Sequence, residues 1–85
     1  MANLLIVEDD KELNGLVCSY FENNGYKVVG CFNGEEALEE FENNNYDIIL
    51  TDIMMPKMDG FSLVEKIRAI NSQVPIIFMT ARDDK

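Results

Sequence analysis

YDIILTDIMMPKMDG, residues 46–60, decides the fold. Its first half sets Ile48, Ile49 and Leu50 in an unbroken apolar run that stops at Thr51 and the acid Asp52. A run so short predicts a strand over Tyr46–Thr51 that is covered on both faces. Its second half, MMPKMDG, is a loop in which Pro56 fixes one backbone angle and Asp59-Gly60 supplies the turn into a helix. Three more strands surround this one. Leu4–Val7 is apolar and ends at Glu8, Asp9 and Asp10; Tyr26–Phe32 is rich in β-branched and aromatic residues; Pro75–Thr80 closes the series.

Helical spacing fills the gaps between these strands. From Lys11 onward, Leu13, Leu16, Val17, Tyr20 and Phe21 define an inner face, with Asp10 as the starting cap and Gly25 as the stop. Asn33 and Glu36 have the form of a capping box for a second helix that reaches about Asn44. Its Glu35, Glu36, Glu39, Glu40 and Glu42 read as a solvated acidic face to which no function is assigned. The third helix spans about Phe61 to Asn71, with Phe61, Leu63, Val64, Ile67 and Ile70 turned inward. The order βαβαβαβ with short connections predicts a parallel sheet with right-handed crossovers.

Composition narrows the functions available. The chain has 85 residues, enough for one small domain, and 16 Asp and Glu against 7 Lys and Arg give it a formal charge of -9. That balance disfavours direct contact with nucleic acid or a membrane surface and favours metal cations and basic partners. The opening MANLLIVEDD reaches acids too soon for a signal peptide or a membrane span. Cys18 and Cys31 lack metal-ligand spacing and read as buried, reduced thiols, which suits the cytoplasm. Met54, Met55 and Met58 are accompanied by no His and no suitably spaced thiol, which excludes a soft-metal site.

The acids are the distinctive chemistry. In open α/β sheets ligands bind beyond the carboxyl ends of the strands, and here those ends carry Glu8-Asp9-Asp10, Asp52 and Thr80. Asp10 suffices as a helix cap, which leaves Glu8, Asp9 and Asp52 without a routine structural task. Periodicity does not establish that strands one and three are neighbours. If they are, the carboxylates repel one another and raise each other's pKa values unless a cation sits among them. Mg²⁺ takes oxygen ligands, keeps several waters and leaves room for a phosphate oxygen.

At these residues the chain resembles a response-regulator receiver domain, the phosphoryl-accepting module of two-component signalling. The resemblance rests on LLIVEDD (4–10), DIILTDIMMPKMDG (47–60) and PIIFMTA (75–81), and it covers the whole chain. It implies a flavodoxin-like three-layer α/β/α fold with strand order 2-1-3-4 as far as the chain extends. It also implies that Asp52 is phosphorylated by a sensor histidine kinase or a small phosphodonor. Mg²⁺ would be bound by Asp9, Asp52 and the backbone carbonyl of Met54, with Glu8 acting through a metal-bound water, and Thr80 would hydrogen-bond the phosphoryl group as a switch. Such a module accepts a phosphoryl group without turning over a substrate, so it is not counted as an enzyme. An aspartyl-nucleophile phosphatase, by contrast, expects a second acid two residues after the nucleophile, where this chain has Met54.

Set against the family's five strands and five helices, residues 1–85 correspond to the N-terminal portion of a single receiver, lacking the last αβα. The family's strand-five lysine has no counterpart, since Lys85 comes too early. In the 2-1-3-4-5 order strand four would then be an edge and one face of the sheet uncovered, surfaces that favour association. The expectation is a homo-oligomer, or a C-terminal half supplied in trans, for a chain that then need not be competent for phosphorylation. VEDD and MTARDD resemble the branch of regulators with a winged-helix DNA-binding domain after the receiver, so any role in transcription belongs to a longer parent.

Overall fold

The computed structural model describes residues 2–53 and 58–79. Four strands and three helices alternate: β1 (Asn3–Val7), α1 (Lys11–Asn23), β2 (Lys27–Cys31), α2 (Gly34–Asn43), β3 (Ile48–Asp52), α3 (Gly60–Ile70) and β4 (Ile76–Met79). All strand pairs are parallel and the order is β2-β1-β3-β4, as expected from the sequence. The fold is flavodoxin-like. β1 is central, and Leu4, Leu5, Ile6 and Val7 are fully or almost fully buried, which is why its sequence is continuously apolar and does not alternate.

The two faces of the sheet are covered differently. On one, Leu5, Val7, Cys31 and Ile49 meet Ala37 and Phe41 of α2, Leu63 and Ile67 of α3, and Val74 in a single buried cluster. Each large side chain in it contributes about 1.5–3 kcal/mol by leaving water. On the other face α1 rests on β2 and β1. Leu50 of β3 is only half-buried there, and its β4 neighbour Ile77 is 52% exposed.

Helix ends are set by the residues the sequence offers. The Asp10, Asn33 and Asp59 side chains accept from the backbone N–H groups of Leu13, Glu36 and Ser62, at 3.1, 2.9 and 2.8 Å. Glu36 reaches back to the N–H of Phe32 at 2.9 Å, one residue earlier than a capping box requires. After α1, Gly25 takes φ 93°, with Gly25 N–H donating to Glu22 O and Tyr26 N–H to Phe21 O, a Schellman closure. The Phe21 and Tyr26 rings then meet edge-on at 5.6 Å.

Several sequence expectations need correction. Leu16 and Tyr20, assigned to the inner face of α1, are 64% and 63% exposed, and Phe61 and Ile70 of α3 are exposed as well. Helical spacing marks a stripe wider than the surface each helix meets. In α1 the buried residue is Asn14. β3 starts at Ile48, not Tyr46, because Tyr46 turns its hydroxyl to Glu40 Oε1 at 2.6 Å. It ends one residue later than expected, because Asp52 is in register with Met79 of β4. Glu36 and Glu40 thus have structural partners, although their helix face read as merely solvated. Both cysteines are free; Cys31 is buried and Cys18 only half-buried.

Candidate functional site

Parallel pairing of β1 with β3 sets Val7 opposite Thr51, so the residues that follow, Glu8 and Asp52, emerge side by side at the carboxyl edge of the sheet. The neighbourhood that periodicity left open is thereby supplied. Glu8, Asp9 and Asp52 each present a carboxylate oxygen, and these atoms lie within 4.8 Å of one another. They form the one such group of potential metal ligands among the described residues. Glu8 is 1% and Asp52 2% exposed, while Asp9 is half-buried. Carboxylates taken this far out of water need compensating partners.

Backbone N–H groups supply some of that compensation. Asp10 N–H donates to Glu8 Oε2 at 2.9 Å, and Ile53 N–H donates to Asp52 Oδ1 at 2.8 Å. The Thr51 hydroxyl donates to Asp52 O at 3.0 Å, holding the last peptide of β3. Below this peptide α3 begins unusually close. A Cβ on Gly60 would fall 2.5 Å from Asp52 O and 3.0 Å from Ile53 Cα, and Gly60 N–H donates to Ile53 O at 2.7 Å. Gly60 therefore does more than complete a turn, because only a residue without a side chain lets α3 start against the strand that carries Asp52.

Of the residues expected at the site, the structure brings together Glu8, Asp9 and Asp52. Met54 and Thr80, expected as a metal-ligating carbonyl and a phosphoryl-binding hydroxyl, lie outside the described residues, as does Pro56. Two contributors were missed by sequence reasoning. Thr51 read as an ordinary strand residue, and Asn14, one position off the apolar stripe of α1, gave no signal except a polar residue next to Leu13. Cavities at the opposite end of the sheet, lined among others by Asn3, Tyr26, Lys27 and Tyr46, bring no comparable group of acids together.

An all-oxygen donor set from three clustered carboxylates fits a hard cation such as Mg²⁺, which uses few protein carboxylates and retains waters. Softer metals would call for thiolates or imidazoles.

A family described as the response regulator receiver domain matches residues 4–85. Transcriptional regulatory protein RprY of Bacteroides fragilis is 42% identical over 79 residues, which is 93% of this chain and 34% of RprY. Response regulator SaeR of Staphylococcus epidermidis is 38% identical over 82 residues, 96% of this chain and 35% of SaeR. The chain thus spans about a third of the length of the curated relatives it matches. Among solved structures, the receiver domain of Francisella response regulator 1452 superposes with a TM-score of 0.89 at 38% identity, covering 100% of this chain and 70% of that one. Response regulator TrrA of Thermotoga maritima, in complex with Mg(2+)-BeF, gives a TM-score of 0.91 at 34% identity, covering 98% of this chain and 72% of that one.

Proposed function

The chain belongs to the response regulator receiver family, and from that premise we propose that Asp52 is its phosphoryl acceptor, served by a sensor histidine kinase and by Mg²⁺ held at Asp9 and Asp52. The observation that carries the reading is the convergence of Glu8, Asp9 and Asp52 at the carboxyl edge of β1 and β3. Receiver domains generally interact with histidine kinases and bind Mg²⁺ at an acidic pocket, and TrrA, a relative of the same fold, was captured with Mg(2+)-BeF.

In the proposed step a carboxylate oxygen of Asp52 attacks the phosphorus. The new P–O bond forms as the P–N bond of the donor's phosphohistidine breaks, and the departing imidazole nitrogen keeps the electron pair and takes up a proton. Mg²⁺ supplies neutralisation of the charge on the transferring group. The protein's own part is positioning: the Ile53 N–H orients Asp52, the Asp10 N–H orients Glu8, and Gly60 fixes the peptide beneath Asp52. We assign Glu8 to a metal-bound water, the Met54 carbonyl to the metal and the Thr80 hydroxyl to the phosphoryl group on family resemblance. In this reading the module, residues 1–85 of one receiver domain, acts in the cytoplasm, is consumed as an acceptor and turns over no substrate. Its phosphorylation replaces a carboxylate of single charge by an acyl phosphate carrying roughly 1.5–2 negative charges at an already acidic site, the change that switches a longer regulator of transcription.

Incubation with acetyl phosphate and Mg²⁺, followed by intact-mass measurement, tests this. One phosphoryl adduct is expected, lost in Asp52→Asn and on chelation of the metal. A folded chain that gains no adduct sinks the proposal. Exposed Leu16, Tyr20 and Ile77 favour a second reading, a chain that assembles with another copy or a partner and is not modified. Light scattering alongside the mass measurement distinguishes the two.

A further inference from the structure

We propose that Asn14 is a positioning residue for the acidic site, a clamp that fixes the backbone from which Glu8 and Asp9 project. Asn14 lies in the first turns of α1 and is 3% exposed, whereas its apolar helix-mates Leu16 and Tyr20 face outward. Its side-chain nitrogen donates to Glu8 O at 3.0 Å and to Cys31 O at 2.9 Å. Both acceptors are carbonyls, so the amide can face them only with its NH₂, and each hydrogen is used. Cys18 Sγ lies 3.4 Å from the amide oxygen and completes its partners. A polar side chain buried among strands is retained at a cost unless every group is satisfied, and this one is.

The location of the clamp separates it from ordinary packing. The β1–β2 ladder runs from Asn3 opposite Lys27 to Val7 opposite Cys31 and needs no help over that length. Asn14 acts just beyond the last pair, where Glu8 N–H makes one further bond to Cys31 O at 3.0 Å and the chain leaves the sheet toward Asp9. The neighbouring strand is shaped to admit it. A Cβ on Gly30 would fall 2.5 Å from Asn14 Oδ1 and 2.9 Å from Cys18 Sγ, so a side chain there would push the amide out of its place. Groups that hold metal ligands in place from behind typically govern metal affinity by 10–100-fold, roughly. Asn14 acts one step behind such groups, through the Glu8 carbonyl, fixing the peptide between strand and acids.

The inference rests on the proposed Mg²⁺ site, and its test separates the two. Asn14→Leu is close in size and can donate to neither carbonyl. Mg²⁺ affinity is measured by calorimetry on chain whose fold is checked by circular dichroism, and hydrogen exchange is followed at the amides of Asp9 and Asp10 without metal. The expected result is Mg²⁺ affinity lower by up to roughly 10-fold, with faster exchange at both amides. Unchanged affinity and unchanged exchange in a folded variant overturn the clamp. If the unsubstituted chain fails to bind Mg²⁺, the functional reading falls, and the clamp is then judged by exchange alone: acceleration upholds it and its absence refutes it. Should Asn14→Leu not fold, Asn14→Ala carries the same readouts, because water can then reach both carbonyls.

Discussion

The two faces of the sheet share the same strands but not the same degree of closure. Toward α2 and α3, side chains from three strands, two helices and Val74 fill one buried cluster. Toward α1, among the described residues, that helix alone covers β2 and β1, and Leu16, Tyr20 and Ile77 remain exposed. Stability should therefore reside on the closed side, while the acids sit at the edge where β1 and β3, buried between both sides, come to an end. Ile67→Ala tests this most severely. It empties a fully buried site and should cost about 2–5 kcal/mol in urea unfolding, a large fraction of the ~5–15 kcal/mol available to an ordinary domain. Ile77→Ala, on the open side, should cost no more than about 0.5 kcal/mol. Equal losses would erase the distinction.

Gly60→Ala strikes the closed side where it meets the site. The added Cβ meets backbone at Asp52 O and Ile53 Cα, and backbone gives way less readily than a flexible side chain. Overpacking of this kind costs about 1–3 kcal/mol. Because the displaced peptide belongs to Asp52, acetyl phosphate labelling should slow more than the loss of folded protein accounts for. A variant that is less stable but labels at the normal rate would make Gly60 a packing residue only.

The two cysteines carry the comparison into pH. Burial, with smaller contributions from Glu40 and Glu36, pushes the Cys31 thiol up to about 12 from an ordinary 9.0. Cys18, on α1, is raised by burial and by Glu22. A folded-state value above the unfolded one stabilises fully below the unfolded value and is lost as pH rises. Cys31 should thus erode stability from pH 9 toward 12, by about 1.4 kcal/mol for each unit in that window. Cys31→Ala should flatten that slope. At pH 8 a thiol reagent should modify Cys18 well before Cys31, because thiolate is the reactive form and Cys31 is the more buried.

Much of this was legible from residue order. The apolar runs gave the strands, Asp10, Asn33 and Gly25 gave helix ends, and the acids at the ends of strands one and three are the ones the fold gathers into a candidate site. What was hidden is tertiary. A period of two says which residues share a face but not which strand lies alongside, so periodicity left Glu8 and Asp52 apart; the family resemblance implied their meeting, and the β1–β3 register supplies it. A period of 3.6 over-assigned Leu16, Tyr20, Phe61 and Ile70 to the interior, since the width of a contact depends on what the helix lies against. Asn14 was hidden for the opposite reason: its polarity suggested water, and its two acceptors are backbone carbonyls that any sequence would supply.

The smallest expected effect is the most discriminating for the open side. Leu16→Gln exchanges a 64% exposed apolar side chain for a polar one of similar length and similar helix propensity. If α1 faces water in solution, the change should alter stability by no more than about 0.5 kcal/mol, independently of protein concentration. If Leu16 and Tyr20 are instead covered by a second copy, the loss should approach that of a buried leucine and grow as the chain is concentrated, because association and folding are then linked. Unfolding curves at two concentrations, with mass by light scattering, read the difference directly. A concentration-independent midpoint would leave the open side as plain solvated surface and remove the main support for an assembling, unmodified chain.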